Sequence, residues 1–275
     1  AAAAREKGGT IVEDFFGVAL ANQLDADYGI ADFIIANNVL AHVPDINDFV
    51  AGIAAMLKST GVCSVEFPHL LNLIQYRQFD TIYHEHYSYL SLHSVCTIMQ
   101  AAGLRVYNVE TLPTHGGSLR VWVRLSNTIL TDSSVNTILA EESEAGITSV
   151  EGYRHFQDVI SGVAKNFLTF LQQARQDNKI VVAYGAAAKG NTFLNYLHID
   201  SKLIPAVFDA ATSKQGKFLP GSHLPILPPE DLAKFKPDYV VILPWNLRDE
   251  VTAQLKSKVP VHCKFVTAIP ELKIG

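Results

Sequence analysis

ADFIIANNVLAHVPD, residues 31–45, sets an apolar run directly against two amides and an imidazole. The run 31–36 has the pattern of a strand buried on both faces. Residues 48–58 follow with Phe49, Ile53, Met56 and Leu57 on one helical face, and Thr60 and Gly61 are expected to close that helix. Residues 62–67 return to a strand pattern. Strand, helix and strand in that order predict a βαβ unit and an α/β chain. Upstream, residues 10–15 (TIVEDF) read as a short strand. Downstream, 91–102 read as a helix closed by Gly103, and 104–110 and 119–125 as two strands around a loop. The sum is β–α–β–α–β–β, the second half of an open twisted sheet.

A helical region comes next, 133–145 and then 150–178. The longer stretch carries Phe156, Val159, Ile160, Val163, Phe167 and Leu171 at helical spacing. From residue 179 the alternation restarts, with strands expected at 179–184, 203–209, 238–244 and 264–268 and helices at 189–197, 229–235 and 247–258. The expected architecture is an incomplete Rossmann-like sheet over 1–130, a helical connector over 131–178 and a second, small Rossmann-like α/β domain over 179–275. The opening Ala1-Ala2-Ala3-Ala4-Arg5, without a methionine, reads as the remainder of a longer protein.

Composition narrows the function classes. A 275-residue chain that is 48% apolar can bury a real core. Its formal charge of −5 does not favour polyanions, so nucleic acid is not an expected partner. No apolar run approaches the roughly 20 residues that cross a bilayer, so no membrane span is expected. Cys63, Cys96 and Cys263 are far apart, which argues for buried thiols in a reducing, cytoplasmic setting over disulfides or a cysteine zinc site.

The chemistry-bearing groups fall in a few places. Asn37, Asn38 and His42 follow a strand end, where open sheets bind ligands, although turn-forming asparagines and a filler histidine give the same pattern. Residues 78–89 (QFDTIYHEHYSY) pack two histidines, two carboxylates and three tyrosines together. An imidazole there can serve as a general base and a tyrosine hydroxyl can donate to an oxyanion. His84-Glu85-His86 lacks the spacing of a zinc helix, and no metal is expected. In His115-Gly116-Gly117-Ser118-Leu119-Arg120, Arg120 is a possible anion contact. Tyr184-Gly185-Ala186-Ala187-Ala188-Lys189-Gly190-Asn191 joins a strand to a helix through small residues, which aims N–H groups and Lys189 at an anion such as a phosphate. A plain tight crossover remains the alternative. Lys214 and Lys217 lie on a Gly/Pro-bounded loop that either flanks the same anion or is solvated.

Taken in register, NNVLAHVPD, FDTIYHEHYSY, HGGSLR, YGAAAKGN and KQGKFLPG resemble the sugar C-methyltransferase family, which includes enzymes that methylate dTDP-linked 4-keto deoxysugars. The resemblance implies an S-adenosylmethionine-dependent transferase of deoxysugar biosynthesis whose substrate is a nucleotide sugar. It implies a zinc domain and a glycine-rich cofactor loop that this chain does not contain. By resemblance, His86 is the base, Glu85 orients it, and Tyr83 and His42 bind the sugar and stabilise the enolate, with His42 and His86 interchangeable. Asp14, Phe15, Asn37 and Asn38 are the implied cofactor contacts. Tyr184, Gly185, Ala186, Lys189, Asn191 and Lys217 are the implied nucleotide-sugar contacts. Two other readings compete: an NAD-dependent nucleotide-sugar oxidoreductase, disfavoured because G-x-G-x-x-G is absent, and a non-catalytic nucleotide-binding module.

Overall fold

The structure, a computed structural model, describes residues 2–125 and 130–275. The chain folds into two compact units. The first is Ala1–Leu70 with Tyr87–Thr148, and the second is Leu71–His86 with Ser149–Gly275. The helical stretch expected as a connector is shared between them.

The first unit contains helices α1 (Ala2–Glu6) and α2 (Val18–Tyr28), strand β1 (Ala31–Asn37), helix α3 (Ile46–Met56) and strand β2 (Leu57–Pro68). A short helix α4 (Leu70–Gln75) begins the departure to the second unit. The first unit resumes with α5 (Leu92–Ala101), the hairpin of β3 (Leu104–Leu112) and β4 (Ser118–Leu125), and α6 (Ser133–Glu144). Local sequence explains the helix starts. Asp45 Oδ1 accepts the Asp48 N–H at 3.0 Å, and Ser91 and Ser94 form a capping box on α5.

The sheet order is β1-β2-β4-β3, with β1 and β2 parallel and the other neighbours antiparallel. One face packs with α3 and α5 around Val65, Phe67, Ile53 and Met99. The expectation that β1 is buried on both faces is corrected. Ala36 and Ile34 join this core, but Phe33 is 50% and Ile35 63% exposed. Burial of both faces needs a layer on each side, and β1 is an edge strand with its helical layer on one side among the described residues. Residues 10–15 form no strand either, because β propensity without a ladder partner does not make one.

The second unit contains α7 (Phe156–Gln176), β5 (Val181–Tyr184), α8 (Ala188–Tyr196), β6 (Val207–Phe208), β7 (Ile226–Leu227), α9 (Leu232–Phe235), β8 (Tyr239–Ile242), α10 (Arg248–Leu255), β9 (Lys264–Thr267) and β10 (Lys273–Ile274). Its sheet runs β7-β6-β5-β8-β9-β10, parallel except for β10. The order reverses between β5 and β8, and ligands of open α/β sheets bind beyond the carboxyl ends of the strands at such a switch point.

Two glycines shape that point. Gly185 extends β5 by donating its N–H to Phe208 O at 2.8 Å, at φ +101, and a Cβ there would collide with Pro244. Gly190 brings α8 against Leu243, whose Cδ1 would lie 2.8 Å from an added Cβ. Gly185→Ala is expected to cost about 1–3 kcal/mol from backbone strain alone, read as a lower denaturant midpoint. Among the described residues no helix is long and apolar enough to cross a membrane.

Candidate functional site

The segment Leu71–His86 lies between first-unit elements in sequence but belongs to the second unit. Two adjacent side chains anchor it there. Phe79 enters the core, its ring 5.8 Å from Phe193 and 5.1 Å from Tyr196 on α8. Asp80 is 1% exposed, and its Oδ2 accepts the Trp245 indole N–H at 2.9 Å. Arg77 adds a bond to the Pro270 carbonyl at 3.2 Å.

The anchored segment then turns. The His86 N–H donates to Tyr83 O at 3.0 Å, and the two rings stack 4.3 Å apart between centroids. His86 Nδ1 lies 2.8 Å from the Thr81 carbonyl oxygen. A carbonyl only accepts, so Nδ1 carries the proton; in a neutral ring of that tautomer the lone pair lies on Nε2. That tautomer is the one a general base needs. The partner seen at Nδ1 is the main chain at Thr81, and Glu85, the orienting group expected from sequence, is exposed in the same turn.

Beside this turn lies the switch point of the sheet. Lys189 Nζ sits 4.9 Å from the centre of the Trp245 ring, in a cation–π arrangement. Burial pushes the Lys189 ammonium pKa down, and Asp80 pulls it back up. Burial pushes the Asp80 carboxyl up to about 6, while Lys189 and the Trp245 N–H pull it down. The unfolded carboxyl titrates near 3.8, so the folded state holds its proton to higher pH. The stability tied to that proton is complete below pH 3.8 and is lost as pH rises through about 6. The displacement is worth about 3 kcal/mol. The stability difference between wild type and Asp80→Asn is therefore expected to move against wild type by up to about 3 kcal/mol from pH 4 to pH 7 in urea titrations.

The other residues expected near the nucleotide are more dispersed. Tyr184 is a core residue, 7% exposed among Val182, Phe208 and Val240, and its hydroxyl reaches Gln254 at 3.4 Å. The Ala186 N–H donates to Asp209 Oδ2 at 2.7 Å, so an internal carboxylate already accepts it. The same Asp209 takes Lys214 at 3.2 Å, leaving Lys217 as the exposed lysine of that loop. Asn191 has a buried Oδ1 with no hydrogen-bond partner among the described residues.

In the first unit, Asn37 and Asn38 are exposed at the carboxyl end of β1. Asn38 adopts φ 55 and donates its N–H to Glu66 O at 2.7 Å. His42 is exposed in a short 3-10 turn whose Ala41 carbonyl accepts the N–H groups of Tyr87 and Ser88. Asp14 is exposed, and the Phe15 ring is 93% exposed. Arg120 is not available as a simple anion contact, because it pairs with Glu66 at 3.0 Å and Glu110 at 3.5 Å. A broad concavity of about 630 Å³ near Tyr107 and Trp122 includes none of the expected residues.

Sequence reasoning missed Thr81, Asp80 and Trp245 as partners. It also missed a buried pair in the first unit. Glu142, fully buried, accepts the N–H groups of Leu92 and His93 at the start of α5 and meets His69 Nε2 at 2.7 Å. A signal for it exists: Val135, Ile138, Leu139 and Glu142 share one helical stripe, so the carboxylate continues an apolar face.

Comparison with known proteins gives the class. Residues 113–270 match the C-methyltransferase C-terminal domain, more than half of the chain, and residues 2–109 match a methyltransferase domain. The chain belongs to this C-methyltransferase family. The C-methyltransferase NovU of Streptomyces niveus is 34% identical over all 275 residues, and the chain spans 66% of that relative's length. Among solved structures, an O-methyltransferase family protein from Burkholderia thailandensis aligns over 46% of this chain and 39% of its own, at 16% identity and TM-score 0.34. The 1,6-didemethyltoxoflavin-N1-methyltransferase of the same organism aligns over 35% of this chain and 44% of its own, at 16% identity and TM-score 0.28.

Proposed function

We propose that the protein is an S-adenosylmethionine-dependent C-methyltransferase acting beside the ketone of a nucleotide-linked keto deoxysugar, with dTDP as the nucleotide. The observation that carries this reading is the His86 ring, held with its proton on Nδ1 by the Thr81 carbonyl and stacked on Tyr83. Carbon is a poor nucleophile until a proton next to a carbonyl is removed. His86 Nε2 takes that proton, and the Tyr83 hydroxyl donates to the oxygen that gains charge. The main-chain bond at Nδ1 then steadies the imidazolium until the proton leaves. His42, on the first unit, is the second imidazole assigned to sugar binding by the family resemblance.

The cofactor contacts fit in character. An aromatic ring as exposed as Phe15 offers a face to a purine, and Asp14, Asn37 and Asn38 offer polar groups beside it and at a parallel strand end. S-adenosylmethionine, when bound, supplies an electrophilic methyl group.

The nucleotide is assigned to the second unit, at the start of α8. Lys189 is the charged contact, with Gly185, Ala186, Asn191, Lys217 and the main chain at Tyr184 around it. Calorimetric titration with dTDP tests this assignment. Micromolar affinity, about −8 kcal/mol, that weakens at least tenfold in Lys189→Ala supports it. A folded chain that binds no dTDP contradicts it. An oxidoreductase would instead change the nicotinamide absorbance of NAD with a keto sugar, and no change is expected.

A further inference from the structure

We infer that Asp80 is a positioning residue for the base: its buried carboxylate fastens the turn that carries His86 to Trp245, the residue whose ring Lys189 covers, at the switch point of the second sheet. The inference rests on the reading of His86 as base.

The argument starts from burial. A carboxylate that is 1% exposed is retained at a cost unless its partners compensate it. Asp80 has the Trp245 N–H on Oδ2 and the Lys189 charge nearby, but its Oδ1 is buried with no hydrogen-bond partner among the described residues. Asp80 borders a cavity of about 10 Å³ also lined by Phe193, Leu243, Trp245 and Ile269, the room of a single water. For stability alone, an apolar side chain beside Phe79 would serve as well or better. The polar choice stands one residue before Thr81, whose carbonyl fixes the His86 tautomer. Thr81 is itself locked, its N–H and hydroxyl both bonded to Gln78 O. Asp80 thus pins one end of a short rigid turn, and the base stands at the other end. Lys189, at the start of α8 and assigned to the nucleotide diphosphate, lies over the same Trp245 that Asp80 holds, so Trp245 links the proposed binding group to the turn of the proposed base.

The test uses the full-length protein, as wild type, Asp80→Asn and Trp245→Phe. The His86 ring nitrogens are followed by ¹⁵N NMR and methyl transfer by kcat and KM. Wild type is expected to show the Nδ1–H tautomer. Asp80→Asn, folded by circular dichroism, is expected to show a mixture of tautomers and a kcat lower by about 10–100-fold, with KM changed less than threefold. Trp245→Phe should move both readouts in the same direction by less. The double variant should fall short of the product of the two single effects, since both remove one contact. A folded Asp80→Asn protein with the wild-type His86 tautomer and kcat overturns the inference. So does a uniform loss of stability with kcat and tautomer unmoved. If wild type transfers no methyl group, the functional reading fails, and the His86 spectra of the two variants still decide whether Asp80 positions the ring.

Discussion

His86→Ala in the full-length enzyme is expected to lower kcat by about 10²–10⁴-fold, the usual worth of a positioned general base, with the circular dichroism spectrum and melting curve unchanged. The structure explains why the fold should survive. His86 is half-exposed, and its ring stacks on Tyr83 and bonds a backbone carbonyl within its own turn. The core of the unit is held instead by Phe79, Phe167, Phe193 and Leu194. Deuterium exchange at the carbon beside the ketone, measured in the absence of methyl donor, separates the roles. Loss of exchange in His86→Ala places the defect in proton removal. Near-normal turnover would remove His86 from the mechanism and leave His42 as the candidate base.

The second large effect lies in stability. Glu142→Ala is expected to destabilise the first unit by about 3–5 kcal/mol, read from urea titration, because one truncation leaves several buried groups unpaired. The carboxylate accepts the Leu92 and His93 N–H groups, which no helical carbonyl can reach, and pairs with His69, only 3% exposed. His69 also bridges Leu90, where the chain leaves for and returns from the second unit. Glu142→Gln keeps the shape and one acceptor oxygen, so it is expected to lose less. An exposed carboxylate such as Glu144 provides the control, and Glu144→Ala should fall within about 0.5 kcal/mol of wild type.

The second unit was legible in sequence because its signals are local. Apolar runs such as 181–184 and 239–242 alternate with helices, and small residues bracket β5 and α8. The position of Leu71–His86 was not legible. Its membership depends on Phe79 meeting α8 and on Asp80 meeting Trp245, 165 residues away, and such pairings leave no periodicity. Apolar composition alone also misled at β1, where Phe33 and Ile35 face outward. The chemistry of the turn was visible in its residue types, but its geometry was not. The imidazole, carboxylate and phenol could be read from Tyr83 to His86, while the group that sets the tautomer is a main-chain oxygen, which residue identity does not reveal. In segment 184–191 the residue types suggested an anion, but the internal partners were not legible: Asp209 takes the Ala186 N–H and Lys189 lies over Trp245.

The most direct test gives the full-length protein a dTDP-linked 4-keto deoxysugar with S-adenosylmethionine carrying a ¹³C methyl group, followed by carbon NMR of the product. A labelled methyl bonded to the carbon beside the ketone, absent with His86→Ala, is the predicted result. Label on an oxygen, or an unmodified sugar from folded enzyme that binds both ligands, would contradict carbon methylation by a base at His86.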